Sequence, residues 1–185
     1  MSKYIFKGLS TILIVSLLLI FTAVPVLAFD ARSGKTITVS SGEVIDGDLY
    51  VAADTIIING TINGDFCACG RTITVNGPVK GSVMAAGETI NIIGEVGHAV
   101  RAGGRTINIS GNVHGDVMVG CSQVNVASTA KISGDLLFGA ENACIDGLIE
   151  GDVKGGGKEV SLGDGIKGNV ALEVKSLTIL PTANI

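Results

Sequence analysis

Four cysteines, two histidines and a recurring set of aspartates are the side chains of this 185-residue chain whose types could do chemistry. Cys67 and Cys69 stand two apart, so on a strand they share one face, and Met84 falls near Cys67 one repeat further on. That trio would make a soft-metal cluster. No spacing matches the C-x-x-C pairs of zinc sites, and incidental surface thiols are the plainer reading, so no metal ligand is assigned. Cys121 and Cys144 sit in other repeats, which makes a disulfide geometrically unfavourable for most pairs. His98 and His114 fall at one corner with Asp116 close by; two histidines alone make a poor metal site, and a solvated corner accounts for them. Asp48, Asp65, Asp116, Asp135 and Asp152 each follow a glycine. Stacked about 4.8 Å apart they would repel unless a cation intervened, whereas aspartates at bends commonly accept backbone N–H groups instead. Gly103-Gly104 and Gly155-Gly156-Gly157 read as bends, and nothing places them before a helix as a phosphate loop requires. No Ser-His-Asp arrangement can be assembled, so no catalytic residue is assigned and no nucleotide or other cofactor is expected.

The elements that must carry these residues follow from an internal repeat. Gly-Asp-apolar or a close variant starts at 47, 64, 81, 98, 115, 134, 151 and 168, so every interval is 17 residues except one of 19. The third residue of each unit is Leu49, Phe66, Val83, Val100, Val117, Leu136, Val153 or Val170, apolar throughout. A second column runs Ile56, Ile73, Ile90, Ile107, Val124, Ala143, Val160, Leu177, and two residues on a third runs from Ile58 to Ile179. Mostly polar residues intervene, which is strand periodicity. A fourth column, Ile62 to Ile166, lies near the end of each unit, and a looser fifth runs from Val51 to Leu172. Three short strands separated by Gly, Asn or Asp bends fit 17 residues, where a strand-helix unit does not. The chain is therefore all-β: a parallel β-helix, a three-sided solenoid of about eight coils over residues 29–185. One coil cannot outweigh the entropy of ordering itself, so coils fold only as a stack, and its ends are sticky. The polymer-end coils are then those of Ile37 and Val39 at one end and of Val170, Leu172, Leu177 and Ile179 at the other. The last coil, Leu177 to Ile185, stops two residues short of its expected glycine, which reads either as a fragment of a longer protein or as an open end.

Residues 1–28 differ in character. Lys3 and Lys7 precede an apolar run from Leu9 to Val24, then Pro25 and the small-residue ending at Ala28. This is the pattern of a secretory signal peptide cut between Ala28 and Phe29; the alternative is an uncleaved membrane anchor. Either way the remainder is exported, outside the cytoplasm, in the cell envelope or secreted. Removing Lys3 and Lys7 from the 13 basic side chains leaves 11 against 17 acidic, a balance of −6, which disfavours nucleic acid as a partner.

A signal sequence followed by 17-residue Gly-Asp-Val units with Thr-Ile-Thr-Val or Thr-Ile-Asn-Ile strands resembles the bactofilin-like polymer-forming proteins of bacteria, over about Thr36 to Ile185. The resemblance implies a right-handed coil and a homopolymer built end to end without nucleotide, a structural scaffold of the cell envelope that meets peptidoglycan or a membrane surface. Typical bactofilins lack a cleavable secretion signal, so the likeness is to exported relatives, which often add C-terminal membrane helices; these 185 residues carry none. Enzyme readings fit poorly, because β-helix hydrolases and lyases carry long substrate loops and hexapeptide acyltransferases repeat at 18. The alternative to a polymer is a secreted surface- or glycan-binding module using outer faces rich in Thr, Asn and Ser.

Overall fold

The computed structural model describes residues 29–163 and 165–181. The segment read as a signal peptide, with Ala28, and the final turn to Ile185 lie outside the described residues. In chain order the strands are β1 (Phe29–Val39), β2 (Val44–Ile45), β3 (Asp48–Ile58), β4 (Thr61–Ile62), β5 (Phe66–Val75), β6 (Val83–Ile92) and β7 (Val100–Ile109). They continue as β8 (Asn112–Val113), β9 (Val117–Val126), β10 (Lys131–Ile132), β11 (Leu136–Ile145), β12 (Leu148–Ile149), β13 (Val153–Leu162) and β14 (Val170–Ile179). Nine long strands pair in parallel in the order β1-β3-β5-β6-β7-β9-β11-β13-β14. The result is a β-solenoid of nine coils, one more than the Gly-Asp starts count. The extra coil is β1, where Asp30 and Arg32 stand in the columns of Leu49 and Val51 and so hide the signature.

Register follows the sequence columns. Ile56, Ile73, Ile90, Ile107 and Val124 pair in succession, and all are 0% exposed. Each coil's aliphatic side chains thus rest on those of the coil before, and the backbone bonds run along the stack axis.

Two sides of each coil come from a single long strand rather than from separate short ones. In β6 the first, third, eighth and tenth residues are buried. The inward parity flips between the third and the eighth, which one flat strand cannot do. The strand bends around Ala86 to Thr89, and four coils put glycine at that corner: a Cβ at Gly70, Gly87, Gly104 or Gly157 would overlap the carbonyl oxygen of the residue one coil earlier. Ala53, Cys121, Ala140 and Val174 occupy the same column elsewhere. The third side is short, with Ile45, Ile62, Val79, Val96, Val113, Ile132, Ile149 and Ile166 linked in series by two-residue strands and single bridges. The 19-residue coils absorb their two extra residues as turns ahead of this side, closed by Glu43 N–H to Ser40 O (3.0 Å) and Ala130 N–H to Ala127 O (2.8 Å). Gly42 takes φ +85° in the first of these, as a type II turn requires.

Gly103-Gly104 and Gly155-Gly156-Gly157 are strand residues, in β7 and β13, and of these Gly104 and Gly157 stand where the strand bends. Gly155 stands in the fifth inward column directly over Phe138, and the space its Cβ would take is filled by the Phe138 ring. One large and one absent side chain keep the column at native density. Among the described residues no polar or charged side chain is buried.

Candidate functional site

With an aliphatic interior, any function falls to the corners, outer faces and ends. The corner aspartates are built in first. Asp48 Oδ1 accepts the backbone N–H of Asp65 (2.8 Å), Asp65 Oδ1 that of Ser82 (2.7 Å), Asp116 Oδ1 that of Asp135 (2.9 Å), Asp135 Oδ1 that of Asp152 (2.8 Å) and Asp152 Oδ1 that of Asn169 (2.9 Å). Each carboxylate fastens its own coil to the next. The glycines belong to the same device: a Cβ at Gly64, Gly81, Gly134 or Gly151 would land on the previous coil's aspartate Oδ1. Where the previous coil carries Ser82, no carboxylate fills that space, and His98 stands in the glycine position. Hydrogen bonds from the Asn169 N–H, then from Lys154 Nζ (3.0 Å), hold the Asp152 carboxyl below the usual carboxylate range.

The corner of the histidines is solvated, as expected, with a partner that the sequence did not name. His114 Nε2 lies 2.6 Å from Glu95 Oε1, so its partner is a carboxylate of the preceding coil rather than His98 or Asp116. Both rings are exposed. Among the described residues no three His, Cys, Asp or Glu side chains are placed to hold a metal ion.

Two outer faces flank the bend in the long strands. Beyond it lies a polar face, where Asn91 Nδ2 donates to Thr74 Oγ1 (3.2 Å), Asn108 Nδ2 to Asn91 Oδ1 (2.9 Å) and Asn125 Nδ2 to Asn108 Oδ1 (2.8 Å). Ahead of it lies an apolar face whose outward column runs Tyr50, Cys67, Met84, Arg101, Met118, Leu137, Lys154. Next to that column stand Ala52, Cys69, Ala86, Gly103, Gly120, Gly139 and Gly156. Period-2 reading found the polar face, rich in Thr, Asn and Ser, and missed the apolar one, although the change of parity between the columns of Val51 and Ile56 marks the bend that separates them.

All four cysteines are free. Cys121 is half-buried at the bend, and burial pushes its thiol up. Cys144 Sγ donates to Asp146 Oδ2 at 3.4 Å. Cys67 and Cys69 remain on the apolar face, where Cys67 pairs in register with Met84.

The edge strands of the described stack are β1 and β14, and their ends are unlike. Over β1, Arg32 bonds Asp30 (2.8 Å) and Glu43 (2.9 Å), covering the inward columns with charge. The Asp30 hydrogen bond, more than that of Glu43, raises the Arg32 guanidinium above its ordinary value against the opposing effect of burial. Glu43 is held low by the Ser40 N–H (3.0 Å) and then by Arg32. Beneath this cap Val39 is fully buried and Ile37 half-buried. At β14 the columns stay apolar: Val170 and Leu172 are half-buried, and Leu177 and Ile179 are 44% and 59% exposed. The sequence columns marked both ends as apolar; the inward placement of Asp30 and Arg32 could have been read only by extending the 19-residue template one coil back.

These features define the class as a parallel β-solenoid. Comparison with protein-family models, with curated proteins and with solved structures finds no match for the chain.

Proposed function

We propose that this chain is a non-enzymatic structural protein of the cell envelope that associates with copies of itself end to end. The observation that carries the reading is the β14 end, where the same ladders that are sealed in the interior surface as Leu177 and Ile179 beside a strand edge that has no partner among the described residues. A free edge over an open apolar column is a template for another strand. A second copy meeting it by a two-fold axis would extend the backbone ladder and bury both columns at once. The charged Asp30–Arg32–Glu43 cap makes the β1 end the weaker docking surface, so pairs through β14 form before longer rods.

The alternative, a secreted module that binds glycans or surfaces, draws on the polar face, where Asn142, Glu159, Ser161, Ser176 and Thr178 line a depression of about 230 Å³. Against it, the Asn91, Asn108 and Asn125 amides of that face are already bonded to one another along the axis.

Sedimentation velocity of the purified full chain over a concentration series tests the proposal. Species heavier than one chain should appear with rising concentration, and Leu177→Lys with Ile179→Lys should abolish them, since each charge would be buried unpaired. A wild-type chain that stays a monomer throughout, or an association that survives both substitutions, would remove end docking. Association through the N-terminal apolar segment belongs to the second outcome.

A further inference from the structure

We propose that Cys67, Cys69 and Met84 form a binding site for a monovalent soft cation, copper(I), on the apolar outer face. The inference is independent of end-to-end association and goes beyond it.

The placement comes from the strand. In β5, Phe66 and Ala68 are buried while Cys67 and Cys69 point outward, so both thiols project from the same face. Residues two apart on a strand are rooted about 6.6 Å apart, and in-register neighbours on the next strand about 4.8 Å away. Cys67 pairs with Met84, which puts a thioether one coil step from one of the two thiols. With metal–sulfur bonds of about 2.3 Å, two thiolates opposed across one ion stand about 4.6 Å apart, and side chains rooted as these are reach that by leaning together. Met84 is 55% exposed and its flexible chain is free to close from the side.

The surroundings choose the ion. The three sulfurs line a shallow groove of about 560 Å³ whose walls include Tyr50, Ala52 and Ala86, with no carboxylate or imidazole among the lining residues. Zinc takes four nitrogen, oxygen or thiolate ligands, and this donor set supplies two; a thioether adds nothing for it. Thiolates with a thioether suit copper(I), which is content with two or three soft ligands. Binding to the protonated thiols forms two copper–sulfur bonds and releases two protons, leaving a complex of charge −1. Arg32 lines the groove, and Arg101 stands in register beyond Met84 on the same column, so positive charge flanks the site on both sides. The other thiols lack this setting: Cys121 pairs with Gly104 and Ala140, and Cys144 with Asn125 and Ser161.

The test is an anaerobic titration of the reduced full chain with copper(I) held by a coloured chelator. One equivalent per chain should be withdrawn. Cys67→Ser and Cys69→Ser should each lose that uptake, Met84→Leu should keep the stoichiometry and weaken the affinity, and Cys121→Ser with Cys144→Ser should change nothing. Cys67, Cys69, Met84 and Cys144 lie on outer positions and Cys121 is half-buried at the bend, so circular dichroism spectra matching wild type would show that the coils are intact. X-ray absorption at the copper edge should report a shell of sulfur only. Uptake that survives the Cys67→Ser/Cys69→Ser pair, failure to compete with the chelator, or equal competition for zinc(II) would overturn the assignment.

Discussion

A carboxylate that accepts the backbone N–H of the residue stacked upon it is the smallest unit of cohesion in this protein. Asp135 does this for Asp152 at 2.8 Å, and a Cβ at Gly151 would run into both that carboxylate and the Gly134 carbonyl. The net value of such a bond is about 1 kcal/mol, so Asp135→Ala should lower stability by about that much in urea denaturation followed by circular dichroism, and Asp135→Asn by less. Core positions cost more. Ile107 is 0% exposed between Ile90 and Val124, and Ile107→Ala should cost about 2–5 kcal/mol, whereas the 51% exposed Ile93 replaced by Ala should change stability by less than about 0.5 kcal/mol. Gly155 and Phe138 form a matched pair. Gly155→Ala should destabilise by about 1–3 kcal/mol through overpacking, and much of that loss should vanish in a Phe138→Leu background, which a double-mutant cycle measures directly. Recurrence of Gly-Asp was plain in the sequence, and a backbone partner for the aspartate was anticipated. That the partner lies in the next coil was not, since the hydrogen bond spans 17 or 19 residues and leaves no local trace.

At the scale of the element, the coils are joined side to side by ion pairs as well as by strands. Arg105–Glu88 (3.1 Å), Lys158–Glu141 (2.8 Å) and Lys167–Glu150 (2.9 Å) each link neighbouring coils on the exposed surface, where single pairs contribute little. Those groups that folding shifts still shape how stability changes with pH. Hydrogen bonds to Lys158 and Lys167 hold Glu141 and Glu150 below the ordinary carboxylate range, and the Ser40 N–H does so for Glu43. A group depressed on folding contributes stability above its unfolded value, about 4.3 for glutamate, and loses it as pH falls through the lower folded value. Lys154 and Lys158 are raised by Asp152 and Glu141, so their contribution is complete below about 10.4 and fades as pH rises through the folded values. The Cys121 thiol, raised by burial, loses its contribution as pH climbs above about 8.5. Melting temperature should therefore be flat between about pH 5 and 8 and fall on both sides, with Glu43→Gln shrinking the acid-side fall; an unaltered acid limb in that variant would deny Glu43 its part. The end coils were only half legible. Apolar columns at Leu177 and Ile179 could be read directly, but the charged cap could not, because Asp30 and Arg32 break the motif that announces a coil.

Across the described residues, nine coils at about 4.8 Å per step make a rod roughly 40 Å long, held by contacts between residues close to 17 apart. That architecture was open to inspection in the sequence for a physical reason: a solenoid writes each inward column as a fixed period, and eight repeats make it unmistakable. Less legible was the shape of each coil. Three separate strands were expected, whereas one ten-residue strand bends across two sides at a corner set by backbone crowding, with a third side only two residues wide. The candidate surfaces inherit that difference, since the bend is what separates the sulfur-bearing apolar face from the amide ladder.

The stacking itself is tested most directly by a spin-label distance. With the four native cysteines replaced by serine, nitroxides at Ala52→Cys and Glu173→Cys mark exposed positions of one outward column, separated by seven coil-to-coil pairings. One continuous spiral places those backbones about 34 Å apart at about 4.8 Å per coil, in a single narrow distribution. A broad distribution, or a narrow one well short of that distance, would mean that the coils do not stack residue upon residue, and the account would fail with them.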